Sequence, residues 1–181
     1  MKMLVIVDML NDFCTKDGVL ATSPITGEVY AKDIIAPIAE ILKDFREKGG
    51  VVVWVNDAHT PDDKEFEIWP PHAVKDTAGA QIIDELAPGV VKDGYFEHVL
   101  EKTRYSGFFG TGLNGLVDVV KPESATVVGV CTSICVMDTV GGFANRDINV
   151  IVPKNCVADF DPKMHEMCLE RMKNIYQAKV E

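Results

Sequence analysis

The sequence predicts a single three-layer α/β domain over residues 1–181, built on a doubly wound, mainly parallel sheet of five or six strands. Two observations carry this prediction. Short apolar runs rich in valine and isoleucine alternate with segments whose apolar residues recur at helical spacing. The runs are also nearly continuous in apolar residues, which suits strands covered on both faces by helices. A chain of 181 residues is long enough to bury a sizeable core in one domain.

The elements follow in order. Met3 to Val7 is the first strand. Ile34, Ile35, Ile38, Ile41, Leu42 and Phe45 mark one face of a helix, which Gly49-Gly50 closes. Val51 to Val55 is the second strand, and Phe96 to Leu100 a weaker third. Between them, Pro61 to Pro88 is polar, irregular and too long for a plain connection, so it reads as a functional loop. Leu113, Leu116 and Val117 mark the next helix, and Thr126 to Val130 the fourth strand. Val136, Val140 and Phe143 recur at helical spacing before a fifth strand, Ile148 to Val152. Met164, Met167, Cys168, Arg171, Met172 and Ile175 define a last helix, and the short tail after it is a candidate edge strand. No internal repeat or low-complexity tract interrupts the pattern.

Composition excludes several classes. Hydrophobic residues make up 47% and charged residues 25%, ordinary for a soluble domain. The net charge of −10 lacks the basic footprint that a nucleic acid or an anionic membrane would need. It is accounted for by solubility alone. No segment approaches the ~18 consecutive apolar residues of a membrane span. Met1 to Asp8 is too short, and reaches a charge too early, for a secretory signal. Five cysteines, an odd number without framework spacing, point to reduced thiols in a cytoplasm. Cys131 and Cys135 are four apart, but no matching Cys/His pair follows to make a zinc knuckle.

The chemistry concentrates at the carboxyl ends of the strands, where open α/β sheets bind ligands. After the strand ending at Gly129-Val130 comes a short polar turn, and a helix-compatible segment opens at about Ser133. Cys135 is thus expected in the first turn of a helix, where free N–H groups and the helix dipole favour thiolate. Asp8 ends the first strand and Lys102 follows the third. An ammonium favours the thiolate, and a carboxylate can take its proton and later return it. Singly, Cys135 reads as a buried structural thiol, Asp8 as a turn cap and Lys102 as a solvated lysine. Their joint occurrence at one rim is harder to dismiss.

A second group lies beside them. Asp57 and His59 are two apart in an extended segment and so face the same way. His72 follows Trp69-Pro70-Pro71, whose rigid prolines can return the chain to the same rim. Carboxylate plus imidazole suits zinc, manganese or iron(II), although Asp-x-His alone also reads as a plain polar loop. His98 reads as a sheet or surface residue and His165 as helix surface, neither with a partner.

With these residues in view, the chain resembles the isochorismatase-like cysteine hydrolases, and within them the nicotinamidases. The resemblance rests on Val7-Asp8-Met9-Leu10-Asn11-Asp12-Phe13, on Glu101 to Phe108 followed by Gly110-Thr111, and on Gly129 to Val136. It covers nearly the whole chain. The family often has Asp where this chain has Ser133, a neighbour of the nucleophile outside the triad. The resemblance implies an isochorismatase-like, Rossmann-like fold and an Asp8–Lys102–Cys135 triad. It implies a cis peptide between Val130 and Cys131, and an oxyanion hole made by the backbone N–H groups of Cys131 and Cys135. It further implies one divalent ion, zinc before manganese or iron, and no organic cofactor. Its ligands would be Asp57, His59, His72 and Glu65, the last seven residues before His72. Glu67 is a rival for that fourth position because this loop is shorter than in some relatives. Metal-free relatives generally lack this set.

Phe13, Leu20, Trp69 and Tyr105 match positions that wall the substrate pocket, though each also reads as ordinary core. A flat apolar wall suits a pyridine ring. The implied activity is hydrolysis of nicotinamide to nicotinic acid and ammonia through a cysteine thioester, a step of pyridine-nucleotide salvage. One alternative is another amidase or ureide hydrolase with the same triad. The other is a non-catalytic or thiol-redox protein using Cys131 and Cys135. The expected partner is a small-molecule amide, with neither nucleic acid nor membrane. A homo-oligomer is left open.

Overall fold

The computed structural model describes residues 1–89 and 96–181. The strands are β1 (Lys2–Val7), β2 (Val51–Asp57), β3 (Phe96–Lys102), β4 (Ser124–Val130), β5 (Asn149–Val152), β6 (Val157–Ala158) and β7 (Lys179–Val180). They form one sheet in the order β3-β2-β1-β4-β5-β7, with β6 beside the end of β4. Every pairing among them is parallel. The α/β class and the parallel sheet are as the sequence predicts, and the tail supplies the edge strand β7. The strand β6 was not anticipated: two residues are too few to show any periodicity.

The helices are α1 (Asn11–Cys14), α2 (Ile35–Lys48), α3 (Leu113–Val120), α4 (Met137–Ala144) and α5 (Pro162–Ile175). Side chains alternate across the sheet and so feed two cores. Val5, Val53 and Val127 pack with Leu113, Val140, Phe143 and Met172, from α3, α4 and α5. Leu4, Trp54 and Val128 pack on the opposite face with Phe13 of α1 and Ile38 and Leu42 of α2. Met3 through Val7 are fully buried, as a central strand with two covered faces requires.

The helix ends follow local chemistry. Gly49 closes α2 with φ 73°, a conformation glycine adopts without strain. The Asp161 carboxylate caps α5 by accepting from the N–H groups of Lys163 and Met164, ahead of Pro162 in the first turn. The segment 61–88 is irregular apart from short 3₁₀ turns at Lys64–Glu67, Ala78–Ala80 and Asp84–Leu86. It returns to the sheet through bridges between His59 and Val74 and between Leu10 and Ile82. His98 lies within β3, half-buried. Among the described residues no helix is long and apolar enough to cross a membrane.

Candidate active site and metal group

The order β3-β2-β1-β4 sets the carboxyl ends of four strands side by side, and the polar residues meet there. Asp8 follows β1 at φ 50°. Its N–H donates to the Val55 carbonyl at 3.1 Å, and its Oδ1 accepts the Asp57 N–H at 2.7 Å. Asp57 and Lys102 are the last residues of β2 and β3 and stand in register. Lys102 is 2% exposed, so its ammonium is committed to its neighbours. Nζ lies 2.8 Å from Asp8 Oδ2, 2.5 Å from Asp57 Oδ1 and 3.5 Å from Cys135 Sγ. The carboxylates of Asp8 and Asp57 and the Cys135 sulfur all lie within 4.8 Å of one another.

Cys135 is placed differently from the sequence expectation. It sits in a π-helical turn, Thr132–Val136, which precedes α4. The turn is tied to the β6–α5 segment by two side chains. The Ser133 N–H donates to Asp159 Oδ2 at 2.7 Å, and Thr132 Oγ1 shares a hydrogen bond with His165 Nδ1 at 2.9 Å. His165 is therefore half-buried against this turn, which corrects its reading as partnerless helix surface. The Val130–Cys131 peptide is cis. The Cys131 thiol donates to Tyr30 Oη at 3.4 Å. Gly129, at φ 112°, lets β4 approach β1 so closely that a Cβ there would fall 2.1 Å from the Val7 carbonyl oxygen.

The electrostatics revise the expectation of a resting thiolate. Burial pushes the Cys135 thiol well above its ordinary value, and the carboxylates of Asp8 and Asp57 add to it; Lys102 pulls the other way without prevailing. Asp8 is raised from 3.8 to about 6, by burial first and then by the charge of Asp57, against the pull of Lys102. Burial opposes the charge on Lys102, yet Asp57 and Asp8 together hold its pKa well above that of a free lysine. Burial also opposes ionisation of Asp57, but Lys102 and His59 keep its carboxyl below the ordinary range. The site thus sets a thiol whose ionisation burial opposes beside a carboxyl raised to about 6, both next to the Lys102 ammonium.

The second group assembles as the sequence spacing suggested. One ligand atom from each of Asp57, His59 and His72 lies within 4.8 Å of the others. His59 Nε2 and Glu65 Oε2 are buried without a hydrogen-bond partner. A divalent cation fits this set, because it would satisfy buried atoms that are costly to leave bare. Glu65 is buried and Glu67 exposed, which separates the two rivals in favour of Glu65. The Nδ1–H of His72 donates to the Pro70 carbonyl at 2.8 Å. Burial lowers the His72 pKa.

Between the triad and this group lies a cavity of about 140 Å³. Phe13, Leu20, Trp69 and Tyr105 all line it, as do Asp8, Cys131 and Cys135, together with Asp57, Glu65 and His72. His59 and Lys102 are not among its lining residues. Tyr30, Ile134 and Phe160 also line it and were missed by the sequence reading, because none belongs to a periodic pattern that points at the rim. No lysine or arginine lines the cavity among the described residues. Asp63 and Arg104 were missed as well. The one signal for Asp63 is its type and place: an aspartate capping the turn that holds Glu65.

Residues 2–180 match the model of the isochorismatase domain. The chain is similar to the nicotinamidase/pyrazinamidase PncA of Bacillus subtilis, a solved structure, at 32% identity and a TM-score of 0.88, covering 99% of this chain and 98% of that one. It is similar to N-carbamoylsarcosine amidase of Thermoplasma acidophilum at 34% identity and a TM-score of 0.83, covering 99% and 95%. It is also similar to the pyrazinamidase of Pyrococcus horikoshii, solved in complex with zinc, at 26% identity and a TM-score of 0.84, covering 99% and 98%. The match over residues 2–180 and the nearly full-length structural similarity agree: this chain belongs to the isochorismatase family.

Proposed function

We propose that this chain is a nicotinamidase, hydrolysing nicotinamide to nicotinic acid and ammonia and so returning the pyridine ring to nucleotide salvage. The observation that carries the reading is that Cys135 and the Asp57/Glu65/His72 side of the metal group open on one cavity with aromatic walls. A substrate with an amide at one end and a ring nitrogen at the other matches both. The similarity to a B. subtilis nicotinamidase and to a zinc-bound pyrazinamidase supports it. Similarity to N-carbamoylsarcosine amidase keeps carbamoyl amides as the competing class. N-carbamoylsarcosine carries a carboxylate, and no lysine or arginine among the described residues lines the cavity to pair with it, whereas the aromatic walls suit a flat ring.

In this reading Cys135 Sγ attacks the carboxamide carbon while Asp8 takes the thiol proton. A buried thiol held well above its ordinary pKa needs such a base within the step itself. A carboxyl near 6 is ionised at neutral pH yet returns a proton readily, and Asp8 delivers it to the departing nitrogen as ammonia leaves. The backbone N–H groups of Cys131 and Cys135 donate to the oxyanion. Asp8 then takes a proton from the water that attacks the thioester, and the proton returns to the Cys135 sulfur as nicotinic acid departs. Lys102 stays charged throughout and holds Asp8 in place. Asp57, His59, His72 and Glu65 would hold a divalent ion, zinc before manganese or iron, which when bound would supply a Lewis-acid contact to the ring nitrogen. No organic cofactor enters.

Ammonia release tests the proposal. kcat/KM for nicotinamide is expected to exceed that for N-carbamoylsarcosine and for a panel of ureides by at least about a hundredfold, roughly the discrimination expected of one charge mismatched in a small pocket. Faster turnover of a carbamoyl amide would overturn it.

A further inference from the structure

A further carboxylate lies behind the metal group, and the triad does not use it. The Asp63 side chain is 7% exposed. Its Oδ2 is 3.0 Å from His59 Nδ1, and its Oδ1 accepts the Glu65 backbone N–H at 2.9 Å. Arg104 Nη1 lies 2.9 and 3.2 Å from the two oxygens. One carboxylate therefore touches two of the four candidate ligands. The guanidinium that grips it comes from the segment just after Lys102, at the end of the neighbouring strand β3.

We propose that Asp63 is the positioning residue of the divalent-cation group, fixing His59 so that Nε2 is its bare nitrogen and setting the turn that carries Glu65, while Arg104 holds Asp63 in place. The inference rests on the metal part of the proposed function. A carboxylate can only accept, so a contact at 3.0 Å requires the His59 proton to sit on Nδ1. In the neutral imidazole that leaves the lone pair on Nε2, a buried atom with no hydrogen-bond partner. His72 reaches the same tautomer through the backbone carbonyl of Pro70, which no side-chain substitution removes. Of the two imidazoles, only His59 depends on a side chain. Asp63 is not itself a ligand, because both its oxygens are already engaged by His59, Glu65 and Arg104. Outer carboxylates that orient a ligating histidine typically change metal affinity about 10- to 100-fold when replaced.

The test is the zinc affinity of the full chain, measured by competition with a chromogenic chelator, for wild type, Asp63→Asn and Arg104→Gln. Asparagine offers one carbonyl oxygen where Asp63 uses two, so either His59 or the Glu65 N–H loses its acceptor. Zinc affinity is expected to fall about 10- to 100-fold in Asp63→Asn and by less, in the same direction, in Arg104→Gln. Thermal unfolding in excess chelator is expected to stay within a few degrees of wild type, which separates positioning from general stabilisation. Wild-type zinc affinity in Asp63→Asn would overturn the inference. If Asp63→Asn does not fold, unchanged affinity in Arg104→Gln overturns it instead. Wild-type protein that binds no zinc overturns it together with the metal reading. Failure to hydrolyse nicotinamide would leave the zinc titration intact.

Discussion

Replacing Asp8 with asparagine is expected to abolish turnover while making the metal-free protein more stable near pH 8. Asparagine tolerates the positive φ at this position and keeps an oxygen for the Asp57 N–H. It cannot move a proton, and general acid–base catalysis typically contributes about 10²–10⁴ in rate, so kcat is expected to fall by that much. Stability moves the other way. The folded protein holds this carboxyl at about 6, through burial first and then the charge of Asp57, against 3.8 for a free side chain. Ionising it therefore costs roughly 3 kcal/mol more in the folded state than in the unfolded one, at about 1.4 kcal/mol per tenfold change in acidity. The asparagine amide turns its NH₂ toward Lys102 and gives back about 1–2 kcal/mol of that gain. The net gain is about 1–2 kcal/mol, or roughly 2–8 °C in Tm for a chain of this size. The sign fixes the pH window. For a carboxyl raised on folding, the penalty is absent below about pH 4, builds between 4 and 6, and is complete above. Thermal or urea unfolding of both proteins in excess chelator, from pH 4 to 8, reads this directly. An Asp8→Asn protein less stable than wild type at pH 8, or a difference that does not shrink on acidification, would refute the electrostatic account.

Cys135→Ala is expected to lose turnover completely with its melting temperature little changed. Cys131→Ala is expected to retain most activity, since that thiol donates to Tyr30 and makes no hydrogen bond to Asp8 or Lys102; comparable losses in steady-state ammonia release would contradict the assignment of nucleophile. Chelation is expected to penalise nicotinamide far more than benzamide, which lacks the ring nitrogen. Alkylation of Cys135 by iodoacetamide should continue at a similar rate in the chelated protein, and loss of that reactivity would show that the ion acts on the thiol. Gly129→Ala is expected to destabilise by more than about 3 kcal/mol in urea titration, because a Cβ at φ 112° would lie 2.1 Å from a backbone oxygen of β1; a loss under 1 kcal/mol would mean that β4 shifts at little cost.

The long β-branched runs were legible because burial on both faces leaves a continuous apolar signature, as in Val51 to Val55. Asp8, Asp57 and Lys102 were legible as polar residues at the ends of such runs. The chemistry at Cys135 was half legible. Its position after β4 could be read, but the π turn and the dominance of burial over Lys102 could not, since both depend on what packs against it. Asp159 and His165 grip the same turn from a segment reached only through β6, two residues long. Asp63 and Arg104 lie 41 residues apart, and no local pattern joins them. Tyr30 and Phe160 reach the cavity from irregular segments, where neither a period of two nor one of 3.6 applies.

The central place of β1 has a consequence for how the chain comes into being. It precedes both its neighbours in the chain, yet Met3 pairs with Val51 on one side and Ala125 on the other. Its five apolar residues are fully buried only when both neighbours are present. A nascent chain must therefore carry β1 with one edge unpaired from the synthesis of β2 until that of β4, a high contact order that slows folding and exposes it to aggregation. Chaperone occupancy during translation is expected to centre on this segment until β4 clears the exit tunnel. Hydrolytic competence follows the same schedule, since no fragment ending before Cys135 contains the nucleophile.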